Sequence, residues 1–136
     1  MSQELNLMLE KLKFMHTKFG ITAEQVAFSA DEKQFRIVAM QEELDEYSEA
    51  DNQVDELDAL VDLVVFALGT AERQGMLPIF EQAFNRVMMA NCAKEVGPNK
   101  KRGSFAIDLK KPEGWKPPVL DDLFEKSPQQ ELPLGE

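Results

Sequence analysis

The sequence predicts an all-α fold: an antiparallel four-helix bundle-like core followed by an irregular, Pro-rich C-terminal arm. Three observations carry this. Apolar residues recur at helical spacing in four successive segments. Of seven prolines only Pro78 falls in the first 97 residues; the other six lie from Pro98 onward. Alternation suited to a strand is weak and confined to Ser104–Leu109. A chain of 136 residues suits one domain, read here as a helical core over 1–95 and a basic, Pro-rich arm over 96–136, frayed at its end.

The first helix is expected from Glu4 to Phe19, where Leu5, Met8, Leu9, Leu12, Met15 and Phe19 share one face and Gly20 is a natural stop. The second spans Ala30 to Ala50. Ser29 and Glu32 have capping-box spacing, and Ile37, Met40, Leu44 and Tyr47 make its expected core stripe. The third runs from Val54 to Gln74, with Gly75 behind it. The fourth starts at Pro78, a favoured first-turn residue, and reaches Lys94. Short links after the second and third helices favour antiparallel neighbours.

Composition narrows the function. Asp and Glu number 25 against 15 Lys and Arg, a net charge of −10, which argues against binding a nucleic-acid duplex. Cys92 and His16 are each single, so no intrachain disulfide, Cys-based zinc site or His-rich metal site is available. The longest apolar run, Leu63–Leu68, is far short of the roughly 20 residues of a membrane span. The N-terminal stretch carries acids and no cleavable apolar segment, so the expected location is cytoplasmic, away from membranes.

From Ile37 to Glu72 there is no Lys or Arg, yet these 36 residues hold eleven carboxylates. Glu42, Glu43 and Glu46 converge on one patch of the second helix, Glu42 and Glu46 differing by about 40° around its axis. Asp62 stands in LDALVDLVVFAL, a helix apolar nearly all round and hence expected to be buried, with Asp58 one turn earlier. An ionised carboxylate there needs a partner. Antiparallel folding brings both near the glutamates, and hard oxygen ligands suit Mg²⁺, with Mn²⁺ as a substitute. Spacing alone leaves two readings, a solvated acidic face and a cation site.

At these residues the sequence resembles the MazG-like all-α nucleoside triphosphate pyrophosphohydrolases, the group that includes phosphoribosyl-ATP pyrophosphohydrolase and dimeric dUTPase relatives. The family pattern is EExxE on one helix and ExxD on the next. EELDE at Glu42–Glu46 fits the first half and Asp62 the last position, while Ala59 stands where a Glu is expected. DALVD with LGTA at Leu68–Ala71 resembles the phage and Cof-like branch, in which Asp58 stands in for that Glu. FMHTKFG, the set Phe84, Val87, Asn91 and Lys94, and GWKPPVL extend the resemblance over Phe14–Leu120.

The resemblance implies Mg²⁺-dependent cleavage of a nucleoside triphosphate between the α and β phosphorus atoms, releasing a monophosphate and pyrophosphate. It implies a homodimer or homotetramer that completes the bundle. Glu43, Glu46, Asp58 and Asp62 would hold the metal, and Glu42 would orient or deprotonate the attacking water. Lys94 and Asn91 would meet the phosphates, with Lys33 and Arg36 as further candidates. Phosphoribosyl-ATP is an alternative substrate. The departure at Ala59 keeps open a catalytically silent binding module of the same fold.

The arm has the opposite charge. Lys94–Lys116 holds seven Lys and Arg and three acids, a net +4, against −14 for the remainder. Lys100, Lys101, Arg102, Lys110 and Lys111 read as a solvated counterweight. Trp115, between Gly and Pro, reads as an anchor for the arm, His16 as a surface or core-edge residue, and Cys92 as a small packing residue.

Overall fold

The structure, a computed structural model, describes residues 3–21 and 29–124. The expected fraying of the arm falls on 125–136, outside the described residues. The elements in order are α1 (Gln3–Lys18), α2 (Ala30–Glu49), α3 (Gln53–Arg73), α4 (Leu77–Cys92), β1 (Glu95–Val96), one turn of 3-10 helix (Lys100–Arg102), β2 (Leu109–Lys110) and α5 (Asp121–Phe124). The four long helices agree with expectation to within two residues at each end. They make up two compact units, Met1–Pro78 and Ile79–Glu136.

In the first unit, α1 stops at Gly20 because two bonds close its end: Ile21 N–H to the His16 carbonyl (2.8 Å) and Gly20 N–H to the Thr17 carbonyl (3.2 Å). This pattern requires a left-handed residue, and Gly20 supplies it with φ 70°. The same pair of bonds ends α3, from Met76 to Ala71 and from Gly75 to Glu72. Ser29 caps α2 by accepting the Glu32 N–H (3.2 Å), and Asn52 caps α3 by accepting the Asp55 N–H (2.9 Å). The expected capping box is only half formed. Glu32 turns its carboxylate away from Ser29 and accepts two bonds from the Arg73 guanidinium (2.9 and 3.1 Å).

The dominant packing of this unit is α2 on α3, antiparallel across the short Ala50–Asn52 link. Ala39 (4% exposed) is the buried residue of α2, and Ala59 (1%), Gly69 and Ala71 are those of α3. The expected core stripe of α2 is corrected here. Ile37, Leu44 and Tyr47 are exposed, and the less exposed positions run Glu32, Arg36, Ala39, Met40, Glu43. Helices that approach closely need small side chains at the contact, and Ala39 and Ala59 set which faces meet. Nor is α3 buried all round: Leu57, Leu60, Val61 and Val64 are exposed.

In the second unit, α4 runs into an antiparallel β1–β2 pair with Glu95 opposite Lys110 and Val96 opposite Leu109. The strand expected over Ser104–Leu109 is present only at its end, because the chain turns at Ala106–Ile107, where the Asp108 N–H donates to the Phe105 carbonyl (3.2 Å). Arg102 grips Asp108 with two bonds (2.7 and 2.9 Å), closing the loop between the strands. Arg86 of α4 grips Asp122 of α5 in the same manner (2.6 and 3.0 Å) and donates to the Val119 carbonyl (2.9 Å). Leu123, 2% exposed, seats α5. Trp115 is an anchor, as its surroundings in the sequence suggested: its indole N–H donates to the Ala90 carbonyl on α4 (2.7 Å).

Candidate functional site

The antiparallel register of α2 and α3 follows from two contacts. Glu32 meets Arg73, and Arg36 lies beside Gly69, its Nη1 3.5 Å from where a Cβ would stand. Two turns further along α2 the same register carries Glu43 to the level of Asp62.

Glu43 is the centre of what the register gathers. It is half-buried, and its Oε1 is shut off from solvent with no hydrogen-bond partner. Burial pushes its carboxyl above the usual carboxylate range, and the charges of Glu46, Asp62, Glu42 and Asp58 push it the same way. The other four carboxylates singled out in the sequence therefore all act on Glu43. Asp62 is half-buried, whereas Glu42, Glu46 and Asp58 are exposed. Ala59, at the position where the pattern has a glutamate, is sealed, and Asp58 lies instead on the exposed side of α3.

Among the described residues no three Asp, Glu, His or Cys side chains stand close enough together to hold a metal ion as they are placed. The oxygens in this patch belong to carboxylates, the donor type that hard divalent cations take, and one of them is withdrawn from water and unpaired.

The basic candidates have other surroundings. Lys33 is exposed near the start of α2. Arg36 is half-buried. Desolvation lowers its guanidinium below its usual value, opposed by the charge of Glu32 and reinforced by that of Arg73. Asn91 is half-buried in the last turn of α4, and Lys94 lies just beyond with its ammonium 5.1 Å from the Trp115 ring centre.

The sequence reading missed one polar contact. His16 is buried (5% exposed) and its Nδ1–H donates to Glu72 Oε1 at 2.5 Å. Its ring lies against Gly69, where a Cβ would stand 3.3 Å from Cε1 and Nε2. The signal was Gly69 itself, since a glycine inside an apolar helix marks a close approach; the partner that approaches is not legible from α3 alone.

No protein-family model matches the chain, and a search of curated proteins finds no match either. Among the described residues no helix is long and apolar enough to cross a membrane.

Proposed function

We propose that the chain is a Mg²⁺-dependent nucleoside triphosphate pyrophosphohydrolase, cleaving a (deoxy)nucleoside triphosphate between the α and β phosphates in control of the nucleotide pool. One observation supports this above the others: Glu43 holds an unpaired, solvent-free carboxylate oxygen among four further carboxylates. A buried acceptor in that setting is stabilised by a cation. Glu43, Glu46, Asp58 and Asp62 would hold it. A bound Mg²⁺ neutralises phosphate oxygens and acidifies water. Glu42, at the edge of the cluster, orients the attacking water and accepts its proton. Lys33 and Arg36, in the same unit as the carboxylates, are candidates for phosphate oxygens there; in the second unit, taken by itself, Lys94 and Asn91 are the phosphate-binding candidates. Exposed Leu57, Leu60, Val61 and Val64 on α3 suit a second copy of the chain, in a homodimer or homotetramer.

The test is pyrophosphate release from each ribo- and deoxyribonucleoside triphosphate, and from phosphoribosyl-ATP, with Mg²⁺ and with EDTA. Activity with Mg²⁺ that is lost in Asp62→Asn, while the fold is retained, is the expected result. The sealed Ala59 favours one competing reading, a silent binding module with one carboxylate too few. Absence of pyrophosphate release from every substrate would decide for that module.

A further inference from the structure

Trp115 is the only tryptophan of the chain. Its indole is half-buried and fixed by the bond to the Ala90 carbonyl in the last turn of α4 (2.7 Å), which also accepts the Ala93 N–H (3.2 Å). Two ammonium groups lie over this one ring, Lys94 and Lys111, each 5.1 Å from its centre. They are thus no farther apart than about one Debye length in 0.1 M salt, ~10 Å, so salt only partly screens their repulsion. Attraction to the ring face offsets part of that repulsion.

Among the described residues neither ammonium has a carboxylate within ion-pair distance. The carboxylate whose charge is felt with that of Lys94 is Asp108, and it is already taken up. Arg102 holds it by two bonds, the Leu109 N–H donates to it at 2.7 Å, and its carboxyl lies below the usual range as a result. Lys110 and Lys116 add to the positive field along the same segment.

We propose that Lys94 and Lys111, carried on the Trp115 ring, form a two-cation seat for a polyphosphate anion, with Trp115 as its positioning residue. The proposal rests on the reading of Lys94 as a phosphate-facing cation and adds Lys111 and Trp115 to it. Two separated charges match a chain of phosphates better than a single orthophosphate. The ammonium groups beside the ring meet the anionic part of a ligand, and that part is what this seat takes. The anion can be the triphosphate of a nucleotide or free pyrophosphate, which share this chemistry.

The indole reports on its own neighbours, so the test is a fluorescence titration of the full chain in EDTA at constant ionic strength. The probes are pyrophosphate, tripolyphosphate, a non-hydrolysable nucleoside triphosphate, and orthophosphate as the control. The expected result is a saturable emission change with the first two, weaker with orthophosphate. Lys94→Gln and Lys111→Gln should each weaken binding by about tenfold, the loss of one charge-assisted contact. Lys111→Arg should restore it. Calorimetry on Trp115→Leu and Trp115→Phe separates positioning from bulk, since Phe keeps an aromatic face and should bind more tightly than Leu. Equal response to the nucleotide and to pyrophosphate assigns the seat to the phosphate chain alone; a response to the nucleotide only would overturn that assignment. Unchanged emission, or wild-type affinity in both Gln variants, overturns the seat. Metal-free binding without any hydrolase activity would remove the proposed function and leave the seat standing, whereas activity without lysine-dependent binding would do the reverse.

Discussion

Glu43 is a carboxyl whose surroundings favour its neutral form, and this has a definite sign in pH. Below the ordinary carboxylate range it is protonated in both the folded and unfolded chain and contributes no difference. As pH rises through that range the unfolded chain releases the proton first, so stability falls until the pH passes the raised value of the folded state, and the full loss persists above it. Glu43→Gln should therefore be more stable than wild type at neutral pH without metal, and the gap should close on acidification. Mg²⁺ should raise the melting temperature of wild type and not of the variant. Thermal melts from acid to neutral pH, in EDTA and in Mg²⁺, check this; parallel profiles for the two proteins would show that Glu43 is an ordinary surface acid.

At the scale of elements, the α2–α3 hairpin depends on small residues at its contact. Ala59 of α3 is 1% exposed, and added volume there has nowhere to go. Ala59→Leu should cost about 1–3 kcal/mol, whereas the same change at an exposed position of α3 should cost little. Chemical denaturation measures the difference, and equal stabilities would mean that the hairpin is looser than its burial indicates. The helices were legible in the sequence because their periodicity, N-caps Ser29 and Asn52, and terminal glycines all agree. The carboxylate pairing across them was legible too, once a short link made α2 and α3 antiparallel. What was not legible is rotation about each axis. Apolar spacing put Ile37, Leu44 and Tyr47 inward, but contact is set by where two alanines allow approach, and neither helix records its partner's small residue. His16 was missed for the same reason, as its partners Glu72 and Gly69 lie more than fifty residues away.

At the scale of the whole molecule, a net charge of −10 coexists with many exposed apolar side chains on α3. A face of this kind is ordinarily covered. Sedimentation at micromolar concentration should find a dimer or larger, and Val61→Lys with Val64→Lys should shift it toward monomer; a wild-type monomer throughout would remove the need for a second copy.

The hold on α1 is small by comparison. Of its described residues only Leu12 and His16 are buried, and His16 is attached through a carboxylate of α3. A helix with so few buried side chains can detach without the rest of the fold opening. Amide hydrogen exchange should then divide the first unit: the protons of α1 exchange through a local opening of low free energy, while those of α2 and α3 wait for unfolding of the hairpin as a whole. Replacing His16 by Ala should accelerate exchange along α1 and leave the midpoint of the hairpin's exchange unchanged. Uniform protection across the three helices would mean that α1 belongs to the same cooperative block.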